Sequence, residues 1–162
     1  MSRAGIFPRM LQSWWAPGRV VRSLRGMPDR VLIVVLMAAM LMFLVAQAPA
    51  HARAAQLQPG IPLGARMGGA LLAVMFVMPL LAYALAGLSA ALSRLTPWPV
   101  TGPEARLALF WALLAVAPAM LLSGLVAGLI GPGPALSLTK AMAGLGFLVI
   151  WGAGLCALAG KR

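Results

Sequence analysis

The sequence predicts an all-α polytopic membrane protein, with four transmembrane helices and an N-terminal amphipathic helix on the membrane interface. Three observations carry that prediction. Of 162 residues, 62% are hydrophobic and only 9% charged, with mean hydropathy +0.97; soluble domains run about half apolar and about a quarter charged. Four apolar stretches with charge-free interiors are each long enough to cross a hydrocarbon layer, which takes roughly 17–25 residues. Proline and glycine cluster between them. This composition excludes a soluble enzyme, a nucleic-acid-binding domain and a disordered tail.

Residues 1–30 form a basic cytoplasmic segment with helical periodicity. Phe7, Met10, Leu11, Trp14 and Trp15 recur at i, i+3, i+4, i+7 and i+8, one face of a helix. Pro17-Gly18 breaks the pattern, and Val20, Val21, Leu24 and Met27 form a second stripe opposite Arg19, Arg22 and Arg25. An apolar face with tryptophans and arginines describes a helix lying in the head-group region. Trp14 and Trp15 would set its depth, and the three arginines would meet anionic lipid. The competing arrangement is a cytoplasmic helix packed on the loops of its own bundle.

Residues 31–160 make the transmembrane domain, with spans expected over 31–48, 69–92, 106–130 and 140–160. Asp29 stands at the first helix start as a candidate cap. Pro79 and Pro118 fall inside the second and third spans, where each predicts a kink, since proline lacks the N–H and clashes with the preceding turn. Thr101-Gly102-Pro103-Glu104 has capping-box spacing. Ser137 and Thr139 are candidate caps for the fourth span. Pro49, Pro59 and Pro62 break the first link, Pro97, Pro99 and Pro103 the second, and Gly131-Pro132-Gly133-Pro134 the third.

Charge sorts by side. Thirteen Lys and Arg stand against two acids. Arg3, Arg9, Arg19, Arg22, Arg25 and Arg30 precede the first span, and Arg94, Arg106, Lys161 and Arg162 fall on the same side. Only Arg53, Arg66 and Lys140 fall opposite. Ten against three predicts cytoplasmic N- and C-termini, so the net charge of +11 reads as topology rather than nucleic-acid binding. Eleven of the thirteen are Arg, consistent with a GC-rich bacterial genome and a location in the bacterial inner membrane. A cleaved signal peptide over residues 1–54 is the rival reading. Its basic region would be thirty residues long and its apolar run longer than the usual 7–15.

The chemical inventory is thin. One His (His51), one Cys (Cys156) and two acids offer no hydrolytic triad, and no carboxylate or His sits mid-span as an ion-coupling relay. No catalytic, cofactor-binding or metal residue is expected, and no cofactor. Methionine pairs such as Met37 with Met40 and Met75 with Met78 could suit Cu(I), but gap-filling in apolar packing accounts for them. Gly124-xxx-Gly128 and Ala153-xxx-Ala157 are small-residue pairs that allow close helix approach. They predict intrachain packing between the third and fourth spans, with a dimer face as the alternative. Similar text around Pro79 and Pro118 has the form of the inverted repeats found in some transporters, but coincidence in Leu/Ala/Gly-rich text accounts for it better.

The run Glu104–Leu136, EARLALFWALLAVAPAMLLSGLVAGLIGPGPAL, resembles small alphaproteobacterial members of the Yip1 family. So does the basic N-terminal stretch with Trp14-Trp15-Ala16-Pro17. The resemblance implies a multi-spanning protein with a cytoplasmic N-terminus. Eukaryotic relatives carry five spans and are associated with Rab GTPases, whereas four are counted here. The expectation is a non-enzymatic inner-membrane protein acting through anionic lipid and lateral contacts, as a homo-oligomer or within a larger membrane complex, with no nucleic-acid partner. The alternative is a small dimeric transporter with proline-kinked helices.

Overall fold

The computed structural model describes residues 5–160. Arg3, Lys161 and Arg162, counted in the charge balance, lie outside the described residues. Two short helices open the chain, α1 (Ile6–Gln12) and α2 (Pro17–Ser23). Four helical rods follow: α3 (Asp29–Leu57), then α4 (Leu63–Leu72) joined through a π-helical turn (Ala73–Val77) to α5 (Met78–Ser93), α6 (Gly102–Leu129) and α7 (Pro134–Leu158). All four rods are long and apolar enough to span a membrane, and the described residues contain no strand.

The second rod starts at Leu63 rather than Gly69 and the third at Gly102 rather than Arg106; three further differences have a plain physical reason. The first rod passes through Pro49 and ends at Leu57 rather than near Ala48. In lipid an unwound segment leaves backbone groups without partners, so a helix tolerates one missing bond rather than stop. The fourth rod starts at Pro134, not Lys140, because proline is well placed in a first turn, where its missing N–H is no loss. Ser137 and Thr139 are therefore interior, their hydroxyls donating to the Gly133 and Leu136 carbonyls. Asp29 is the first helical residue rather than the cap, which is Pro28.

The two prolines expected to kink behave differently. Pro118 lies within one uninterrupted helix, so the third span is not two shorter ones. Pro79 stands in the first turn of α5, directly after the π-helical turn. A π turn widens the backbone by one residue, which lets the second span continue around a proline that would otherwise clash with the turn before it.

The bundle is not symmetric. α6 is the central rod: half of its apolar window is buried, against 17% for α4–α5. It packs chiefly on α3 and α7, and less on α5. Phe110, Trp111, Leu109 and Leu114 of α6 meet Leu36, Ala39 and Met40 of α3 in one buried cluster. Tyr83 of α5 meets Phe110 edge-on, ring centroids 5.0 Å apart. Leu80, Leu81, Leu88 and Leu92 of α5 face outward. At the far end, Arg53 donates to the Gly128 and Leu129 carbonyls (3.3 and 3.4 Å), a cation closing the last turn of α6 where the helix dipole is negative.

Candidate lipid-contact site

The N-terminal segment supplies the most built feature of the molecule. Pro17-Gly18 divides it into two pieces, as its sequence suggests, but the pieces do not lie apart from the bundle. Met10, Val20, Val21 and Leu24 are buried in the same cluster as the rods. α1 packs on α6, and α2 runs along α7.

Two rulers give the depth of this hairpin. At its upper end Arg25 reaches Glu104, in the first turn of α6, and the carbonyl of Leu158, the last residue of α7. At its tip the Trp14 indole N–H donates to the Ala115 carbonyl at 3.1 Å. Ala115 lies thirteen residues past Gly102, about 20 Å along the helix. Gly146, whose absent side chain leaves room for the Trp14 ring, lies twelve residues before Leu158, about 18 Å. Ala115 and Gly146 each lie near the middle of their helix, so the segment is a hairpin packed against the bundle as far as its midpoint.

A turn buried in protein has to find partners for its N–H groups, and from Ser13 to Ala16 this one does. The N–H groups of Ser13, Trp14, Trp15 and Ala16 donate to carbonyls of Arg9–Gln12, and Ala16 accepts from Arg19 and Val20. Pro17 has no N–H to satisfy. The Ser13 hydroxyl, fully buried, donates to the Arg9 carbonyl (2.7 Å) and accepts from Trp111 Nε1 (2.9 Å). Ser13 and Trp14 therefore pin the tip to α6 with two side-chain hydrogen bonds, worth more where water cannot compete.

The predicted site residues divide accordingly. Trp15 is 82% exposed, with Phe7 and Leu11 on the same outward face. Arg19 and Arg22 are exposed. Trp14 and Arg25, expected to touch lipid, are held by the chain itself. Arg25 pairs with Glu104 through both Nε (2.9 Å) and Nη2. Glu104 also accepts the Thr101 N–H (3.0 Å), the reciprocal bond the capping-box spacing predicts. Arg106 takes Asp29 in a two-oxygen pair, both contacts 3.0 Å. Glu104 is thus partnered from a distant helix rather than by the neighbouring Arg94 and Arg106. With both acids engaged, Arg9, Arg19, Arg22, Arg30 and Arg94 have no acidic partner among the described residues.

The small-residue pairs are intrachain contacts, with partners other than those expected. Gly124 and Gly128 lie against Ala46 and Pro49 of α3, where a Cβ would run into backbone. Ala153 and Ala157 seat Gly18 of α2, and Gly154 admits Val21 and Ala108. Two residues that the sequence reading passed over matter most here, Ser13 and Gly146. The glycines Gly144, Gly146, Gly152 and Gly154 in one span were the available signal of a close approach.

His51 and Cys156 do not meet. His51 stands twenty-two residues along α3 from Asp29, about 33 Å away, and Cys156 is exposed near the end of α7. Among the described residues no three His, Cys, Asp or Glu gather as a metal site. Comparison with protein-family models, curated proteins and solved structures finds no match to this chain.

Proposed function

We propose that this is a non-enzymatic multi-pass protein of a bacterial inner membrane that works through anionic lipid and lateral protein contacts. The observation that carries the reading is the unbalanced cationic end, where both acids are consumed in ion pairs and, among the described residues, Arg9, Arg19, Arg22, Arg30 and Arg94 are left over. Juxtamembrane cations attract an anionic leaflet by about 1 kcal/mol each, and such an end belongs on the cytoplasmic side. The outward leucines of α5 and α7 offer faces for a second copy or a partner subunit. The resemblance to the Yip1 family is kept as a proposal about span arrangement and a cytoplasmic N-terminus, not about a Rab-linked role.

The test uses the full chain in vesicles that mix zwitterionic and anionic phospholipid, one of them brominated on its chains. Tryptophan quenching should favour brominated phosphatidylglycerol over brominated phosphatidylcholine. The double variant Arg19→Gln/Arg22→Gln should lose most of that preference, and added salt should weaken it in the unmodified protein. Equal quenching by both lipids would overturn the reading.

A further inference from the structure

α1, the end of α2, the start of α3 and Trp111 of α6 surround a pocket of about 400 Å³ at the cationic end. Leu24, Val35 and Trp111 are buried and form its floor, while Ile6 and Val31 stand at its rim, 61% and 37% exposed. With exposed apolar residues at its mouth, the pocket opens outward between α1 and α3 rather than into the bundle. Its size lies within the range of small-ligand sites.

Arg9 is the only charged side chain that lines this pocket, and no carboxylate lines it. The Trp111 N–H, the other polar side-chain group there, is spent on the Ser13 hydroxyl oxygen (2.9 Å). Of the five arginines at this end without an acidic partner among the described residues, Arg19, Arg22, Arg30 and Arg94 are exposed and Arg9 is half-buried. Half-buried arginines elsewhere are engaged, Arg106 by Asp29 and Arg53 by two helix-end carbonyls. Arg9 contributes only its own carbonyl, which accepts from Ser13. A cation set against apolar walls and partly shielded from water gains most from an anion in the same pocket. A guanidinium suits phosphate in particular, which it takes through two parallel N–H···O bonds.

We infer that this pocket holds one anionic phospholipid drawn from the surrounding leaflet, its phosphate on Arg9 and an acyl chain against Leu24, Val35 and Trp111. The apolar floor matches the chain, and the lone cation matches the head group. A choline head group would bring a second cation to a pocket without a carboxylate, so phosphatidylcholine fits less well. The inference rests on the proposed anionic-lipid reading and deepens it, from general attraction to one defined site.

The test is native mass spectrometry of the full chain, released in mild detergent from membranes containing equal phosphatidylglycerol and phosphatidylcholine. The unmodified protein should retain one phospholipid and favour phosphatidylglycerol about fivefold, the worth of one interfacial arginine. Arg9→Gln should bring the two lipids close to parity, and Arg9→Lys, which keeps the charge, should preserve part of the preference. Arg30→Gln removes an exposed arginine of the same end and should cost less of it than Arg9→Gln. An equal loss would assign the preference to the general charge of this end and overturn the site. Ile6→Trp and Val31→Trp, which crowd the mouth from α1 and from α3, should each abolish retention while unfolding at the unmodified temperature. Retention indifferent to both would mean boundary lipid only and overturn the site. So would retention gained only after deletion of residues 2–4, which would make the chain's own N-terminus the occupant. Should the tryptophan-quenching preference hold while the unmodified protein retains no phosphatidylglycerol, the pocket fails and the general lipid reading stands; loss of both removes the reading itself.

Discussion

Trp14→Ala should destabilise the protein by about 2–3 kcal/mol and release the N-terminal hairpin. In a water-soluble core a tryptophan truncation costs about 3–5 kcal/mol. The smaller figure follows because a displaced hairpin here moves its apolar faces into lipid, not water, so lost packing and hydrogen bonding supply most of the loss. Trp14 fills the space left by Gly146 and donates to the Ala115 carbonyl. Trp15→Ala, one residue along and 82% exposed, should change stability by less than about 0.5 kcal/mol. Ser13→Ala should cost about 1–3 kcal/mol, because it leaves the buried Trp111 N–H without an acceptor. Denaturant titration in micelles measures all three, and hydrogen exchange over residues 5–27 reports release of the hairpin. Equal effects at Trp14 and Trp15 would mean the segment lies on the surface after all.

Gly124→Ala should cost about 2–3 kcal/mol, the larger end of overpacking. A Cβ at that position meets the Ala46 carbonyl and its carbon, and backbone cannot rotate aside as a side-chain tip can. The two most closely packed rods, α3 and α6, would have to separate. Gly144→Ala is the matched control: it also sits in a membrane-spanning helix, but its Cβ meets open space. It should be neutral or stabilising by about 0.5–1 kcal/mol through reduced backbone entropy in the unfolded state. Thermal unfolding in the same detergent separates the pair. Similar shifts for both would show that helix propensity, not interhelical contact, governs these glycines.

The two predictions share a cause, which is how lipid-embedded helices are held. Without water to drive apolar surfaces together, close approach and internal hydrogen bonds must do it. Gly124 and Gly128 bring α3 against α6, while Gly18, Gly146 and Gly154 admit the hairpin. The spacing Gly124-xxx-Gly128 announces a close contact but carries no information about the partner. A helix with neighbours on several sides offers the same stripe to any of them, so the choice of α3 over α7 depends on rod orientation.

The hairpin shows the same division more sharply. Its stripes, its Pro-Gly break and its arginine face are all legible in the text, and they suit an interfacial helix as well as one packed along the bundle. What separates the two is Ser13, a small polar residue able to spend its hydroxyl twice, and the gap at Gly146 on a distant helix. Neither has a periodic signature. Pro49 and Pro134 erred for a related reason: proline's effect depends on whether its missing N–H had a partner to lose.

By itself the sequence determined the class of the protein, the number of rods, the position of charge along the chain and the scarcity of reactive groups. These are set by composition and by local periodicity, because a bilayer demands long apolar helices whatever lies beside them. Only the tertiary structure decided that α6 is the centre, that Glu104 pairs with Arg25 and Asp29 with Arg106, and that the N-terminal segment packs against the bundle as far as its midpoint. It also decided that α5 and α7 part to leave an apolar cleft between them. Each of these depends on which faces meet, and an apolar face reads the same toward a helix as toward lipid.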